Sequence, residues 1–221
     1  MAHDRPDDLE EGSEQSAQQQ NEPGVAGIPS DEQRAAHALA QAETGGDRHE
    51  RAALEVLQNS PLLIIEDDKE NIESIQVELN RVNKTDAVFA DSVPGVGTRI
   101  AEMLKNKEGG ERLLVISDLQ IFNQDGDDIA DERAGIRAIA NVQKEVEKWN
   151  TAHPGVEPIR LEIIVNSSML NSQQDLDDFI KENSDRFKLP ETIVAGNHGR
   201  KAEAVDTFLS YLKAQEEQKE Q

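Results

Sequence analysis

Three short polar runs carry most of the chemistry open to this sequence. Glu66-Asp67-Asp68 follows the aliphatic run LLII, Asp118 closes RLLVISD, and Asn166-Ser167-Ser168 closes LEIIVNSS. Carboxylates gathered in one crevice repel each other unless a cation joins them. Hard oxygen donors with open water positions suit Mg²⁺. A carboxylate beside such an ion can attack a phosphoryl group to give an aspartyl phosphate. The cation and nearby donors then offset charge on the transferring oxygens, and the Ser167 hydroxyl could bond one of them. Taken singly, each run has a bland reading. Acidic residues after a strand often only complement a helix dipole, and Ser and Asn commonly end strands. The runs gain weight only if the fold brings them together.

The elements that would do so are legible from Pro61 onward. PLLIIE (61–66) is a continuous apolar run, as expected for a strand buried on both faces. DKENIESIQVELNRV follows, with Ile72, Ile75 and Leu79 at helical spacing. TDAVFA (85–90) is a second strand, and 95–107 a helix with Val96, Ile100 and Leu104 on one face, ended by Gly109-Gly110. RLLVISD (112–118) is the third strand, and 119–158 holds a polar loop and a helix around 133–149. LEIIVNS (161–167) is the fourth strand, LNSQQDLDDFIKEN a helix with an Asn or Ser cap, ETIVAG (191–196) the fifth strand, and 200–214 the last helix. Five strands alternating with five helices imply a parallel sheet covered on both faces. The expected fold is α/β, a flavodoxin-like doubly wound five-stranded sheet of order 2-1-3-4-5. Its ligand crevice lies beyond the carboxyl ends of strands 1 and 3, where the acidic run and Asp118 would meet.

Composition narrows the function classes. The 221 residues are 36% hydrophobic but only 3% aromatic, so the core must be aliphatic. Net charge is −22, which disfavours binding to nucleic acid or to an anionic membrane surface. Residues 1–58 hold 13 acids against 4 Lys/Arg, and residues 59–221 hold 32 against 19, so both parts are acidic. The absence of cysteine excludes disulfides, thiolate metal sites and a Cys nucleophile. No apolar run reaches the roughly 20 residues of a membrane span, and the N-terminus has no signal-peptide pattern. A cytoplasmic protein is expected. Residues 1–30 are polar and read as disordered. Residues 31–58 read as a helical linker or partner-binding segment in which Leu54 and Leu57 sit beside Ala53, and 59–216 as the folded domain.

LLIIEDDKENIESIQVELNRV resembles the opening of a response-regulator receiver domain of the CheY-like superfamily. LLVISDLQ resembles the family's phosphoacceptor strand, and IIVNSS the strand that ends in a Ser/Thr and a small residue. The resemblance covers about residues 60–215. It implies that Glu66 and Asp67 are the acidic pair holding Mg²⁺ with Asp118 and the backbone carbonyl of Gln120. It implies that Asp118 is the phosphoacceptor, Ser167 the hydroxyl that follows the phosphoryl group, and Ser168 the small residue after it. It also implies a signalling domain rather than an enzyme, with a histidine kinase or phosphotransfer protein as donor and a downstream protein partner as output.

The chain departs from the family at the end of strand 5, where a Lys is usual. IVAGNHGRK places Gly196 or Asn197 there, with Lys201 further on in the last helix. The loop after Asp118, IFNQDGDDIADERAG, is longer and more acidic than the family's. These departures favour an alternative, a phosphorylation-independent pseudo-receiver acting as a protein-interaction scaffold. A Mg²⁺-dependent phosphohydrolase or nuclease on this topology needs a second Asp two residues after the first, and Gln120 stands there. NQDGDD (123–128) fails as a calcium loop because Ile121 falls at a ligating position. VPGVGT lacks a Walker Lys. His198 reads as an incidental loop residue, and Trp149 and Tyr211 as packing residues.

Overall fold

The computed structural model describes residues 48–105, 107–122, 130–131, 133–170, 172–183, 186–190, 193–196 and 203–219, all within one compact unit spanning residues 42–221. Residues 1–30, the first part of the 31–58 segment, the NQDGDD run, Asn197, His198 and Lys201 lie outside the described residues.

In chain order the elements are α1 (Arg48–Asn59), β1 (Leu62–Ile65), α2 (Lys69–Arg81), β2 (Val88–Ala90), α3 (Val93–Leu104), β3 (Arg112–Ser117), β4 (Ile121–Phe122), β5 (Ala130–Asp131), α4 (Ala134–Ala152), β6 (Arg160–Val165), α5 (Gln173–Asn183), β7 (Ile193–Ala195) and α6 (Ala204–Gln218). Five strands form a parallel sheet in the order β2-β1-β3-β6-β7. Counted along the chain, the sheet strands follow the expected order 2-1-3-4-5, and the fold is flavodoxin-like.

The aliphatic runs form strands because both faces of the sheet are covered. Successive side chains enter opposite layers. Leu63, Ile65, Val115, Ile163 and Val165 pack with Val96, Ile100, Ile139 and Val142 from α3 and α4. Leu62, Ile64, Leu114, Ile116 and Ile164 pack with Ile75, Leu79, Phe208 and Leu212 from α2 and α6. The second layer also takes Ala53 and Leu57 of α1, which lies against α6. The sequence reads this helix as part of a linker or partner-binding segment, but Ala53 and Leu57 are 1% and 0% exposed. Spacing i, i+4 thus sets the packed edge, and Leu54 is only half-buried.

Two local features differ from the sequence reading. α3 begins at Val93 rather than 95, because the Ser92 hydroxyl caps it by accepting from the Gly95 N–H and Pro94 sits in the first turn. The segment after β3 is not only loop and helix. Ile121 and Phe122 pair antiparallel with Asp131 and Ala130, in a ribbon too short to leave a periodic signal.

The amino edge of the sheet is fastened by two cations, one of them buried. Lys84 is 1% exposed. Its Nζ donates to the Gln58 and Ser60 carbonyls at 3.1 and 2.6 Å and pairs with Asp86 at 2.8 Å. A cation there complements the carbonyl end of α1 and ties it to the loop before β2. The Lys84 hydrogen bond also holds the Asp86 carboxyl below its usual range. Arg112 reaches Glu216 of α6 at 3.1 Å and Glu162 of β6 at 3.5 Å. Burial pushes the Glu162 carboxyl up despite that Arg. The single aromatics serve packing: Trp149 stacks on His153 at 4.2 Å, and Tyr211 tilts against Phe208 at 6.2 Å.

Because α1 is part of the core, Leu57→Ala is expected to cost about 2–5 kcal/mol of unfolding free energy, measured by urea denaturation. A cost near the roughly 0.5 kcal/mol typical of surface changes would show that α1 is dispensable to the core.

Candidate functional site

The register of the sheet builds the site. Ile65 pairs with Ser117, Ser117 with Val165, and Val165 with Ala195. One step further, Glu66, Asp118, Asn166 and Gly196 stand level at the carboxyl ends of four neighbouring strands. Backbone bonds hold the row. The Asp118 N–H donates to Ile65 at 2.9 Å, Asn166 to Ser117 at 2.8 Å, and Gly196 to Val165 at 2.6 Å. Alternation sends the side chains of Glu66, Asp118 and Asn166 to the layer of Ile64, Ile116 and Ile164, the side of α2 and α6.

Asp118, at the centre of the row, is 6% exposed. Its Oδ1 accepts from the backbone N–H groups of Leu119 at 2.6 Å and Gln120 at 3.3 Å, which fixes the orientation of the carboxylate. The Ser117 hydroxyl donates to the Asp118 carbonyl at 2.8 Å. That carbonyl lies against Gly135 in the first turn of α4. A Cβ on Gly135 would meet it at 2.3 Å and Leu119 Cα at 2.4 Å. The Gly135 N–H also donates to Leu119 at 2.9 Å. The peptide after the acidic residue is therefore clamped between β3 and α4. Gly135 plays no part in the sequence reading. Its one signal is a glycine inside a helix-forming run, which often marks a close backbone approach.

Glu66 is buried, and its Oε1 accepts from the Asp68 N–H at 3.1 Å and from Asn71 Nδ2 at 3.3 Å. Asp68 is the cap of α2, accepting from the Glu70 and Asn71 N–H groups. The third acid of the run thus has a structural task, while Asp67 is half-buried between the two. Ser167 is 4% exposed, and its hydroxyl accepts from the Met169 N–H at 3.4 Å. Ser168 is exposed, and Gln120 is half-buried just past Asp118. The structure therefore sets Glu66 and Asp118 on neighbouring strand ends, with Ser167 one residue beyond the row. Among the described residues, no three acidic or histidine side chains come together as ligands for a metal ion. The donor chemistry suits a hard cation, since two buried carboxylates share one edge.

Gly196 closes the row on β7. A Cβ there would meet the Val165 carbonyl at 3.1 Å and Asn166 Cα and Cβ at 3.2 Å. It stands at one of the two positions where the family resemblance expects a Lys.

No family model and no curated protein matches the chain. Similar solved structures include the REC domain of the PhyR response regulator from Erythrobacter litoralis. It is 19% identical, with a TM-score of 0.40 and with 69% of this chain and 88% of that one covered. Another is a fusion carrying the yeast Spc42 trimeric coiled coil, 13% identical, with a TM-score of 0.42 and coverage of 74% and 82%. The fold assignment rests on the sheet topology itself. No helix among the described residues is long and apolar enough to cross a membrane.

Gly135→Ala is expected to destabilise the domain by about 1–3 kcal/mol, the usual range for overpacking, and to shift the Leu119 and Gln120 amides in an ¹⁵N spectrum. An unchanged melting temperature with unshifted amides would show that α4 does not press on the site.

Proposed function

We propose that the domain is a response-regulator-like receiver that takes a phosphoryl group on Asp118 and signals through a protein partner. One observation carries this reading: Asp118 is a buried carboxylate fixed by two backbone N–H groups at the centre of a polar row ending four parallel strands. In a sheet of this topology that edge is where ligands bind. The donor would be a phosphohistidine on a histidine kinase or phosphotransfer protein in a cytoplasmic phosphorelay. An Asp118 carboxylate oxygen forms the new bond to phosphorus as the phosphorus–nitrogen bond breaks. The departing imidazole keeps that electron pair and takes a proton from solvent. Glu66, Asp67, Asp118 and the Gln120 carbonyl would hold Mg²⁺, which when bound offsets the charge on the phosphoryl oxygens. Ser167, at the end of β6, would accept the shifted phosphoryl group as a hydrogen-bond donor, with the small, exposed Ser168 leaving room beside it. The charge added at Asp118 then biases the packing of β6 and β7.

A second reading is a phosphorylation-independent interaction scaffold. Gly196 favours it, because a glycine stands at one of the two positions where the resemblance expects a Lys.

The readings separate in an amide NMR titration with Mg²⁺ and then beryllofluoride, a phosphoryl mimic. The receiver reading expects Mg²⁺ to shift amides near Asp67 and Asp118, and beryllofluoride to extend the shifts through Ser167. Asp118→Asn should abolish the second step. The absence of any shift at millimolar ligand would leave the scaffold reading standing.

A further inference from the structure

Asn166 combines three features that packing alone does not explain. It is 3% exposed, its Nδ2 has no hydrogen-bond partner among the described residues, and it stands level with Asp118 on the adjoining strand. An unmet buried donor costs stability, and the neighbouring positions Ile164 and Val165 show that apolar side chains fill this strand. The side chains of Asn166 and Asp118 leave the sheet on the same side. Neighbouring strands lie about 4.8 Å apart, so a group attached to the Asp118 carboxylate comes within hydrogen-bond reach of Nδ2.

We infer that the Asn166 side-chain amide is a built-in donor to the phosphoryl group carried by Asp118. Gly196 completes the arrangement. A Cβ at that position would press on the Asn166 Cα and Cβ at 3.2 Å. A side chain at 196 would therefore crowd residue 166. The chain has the glycine and the amide together. A neutral amide donates to a phosphoryl oxygen without forming an ion pair, so this contact would hold the adduct by a hydrogen bond. Left without a partner among the described residues, the same amide favours the modified state.

The inference rests on the receiver reading, and its test is arranged so that the two can fail separately. Beryllofluoride binding in the presence of Mg²⁺ is measured by ¹⁹F NMR on the full chain, for wild type, Asn166→Leu and Asn166→Asp. Leu supplies the apolar filling of the rest of the strand. Asp keeps the shape of the residue but replaces the donor with an acceptor. The expected result is that both variants keep the wild-type amide fingerprint yet bind beryllofluoride at least about tenfold more weakly, the scale of a hydrogen bond to a charged group. Asn166→Leu should also melt at or above the wild-type temperature without ligand, since it removes an unmet donor. If wild type binds and both variants match it, the role of Asn166 is overturned while the receiver reading survives. If Asn166→Leu alone fails to fold, Asn166→Asp decides. If wild type shows no saturable binding, the receiver reading fails and takes this inference with it.

Discussion

Each apolar strand in this domain must end where its first polar side chain can reach the edge of the sheet, because a charge displaced into the core would go unpaired at a cost of several kcal/mol. Glu66, Asp118 and Asn166 are the polar residues that follow Ile64, Ile116 and Ile164 on the α2 and α6 side of β1, β3 and β6. Their strands therefore stop at one level, and the ladder of backbone bonds fixes that level. Sliding β6 by one residue would set Ser167 in place of Asn166 beside Asp118 and send Ile164 into the opposite layer. The constraint that keeps the core dry is thus the one that assembles the site.

The two edges of the sheet divide the work. At the amino edge, Lys84 fastens α1 and Arg112 links β3 to β6 and α6. Each of these cations meets a carboxylate within the fold, as buried charges require. At the carboxyl edge Asp118 accepts from backbone N–H groups, Glu66 from the Asp68 N–H and the Asn71 side chain, and the Asn166 Nδ2 has no partner among the described residues. α6 connects the edges. It packs on Leu57 of α1, shares the layer of Ile116 and Ile164, and is tied to α2 where Arg81 donates to Asp206 at 2.6 Å.

The fold class and the strand ends were legible because aliphatic runs bounded by acids are a strong local signal. The register was not. LLII and LLVIS are apolar almost throughout, so no alternation marks which residue faces which layer, and only the pairing of strands reveals that Asn166 stands beside Asp118. Asn166 itself looked like an ordinary strand terminator. Gly135 was hidden for a different reason: its importance lies in a backbone approach between segments more than ten residues apart in the chain, which no local pattern encodes. The start of α3 was misplaced by two residues because Ser92 and Pro94 set it before the first apolar residue of the helix face. The docking of α1 depends on Leu57 meeting α6 near the far end of the chain, a contact equally invisible to periodicity.

The most direct measurement is intact-mass and peptide analysis after incubation of the full chain with Mg²⁺ and a small-molecule phosphoramidate donor. A receiver that works through Asp118 gains one phosphoryl group, removable by hydroxylamine as an acyl phosphate must be, mapped to Asp118 and absent in Asp118→Asn. A chain that stays unmodified while a known receiver domain is labelled under the same conditions, or that carries its label on another residue, would contradict it.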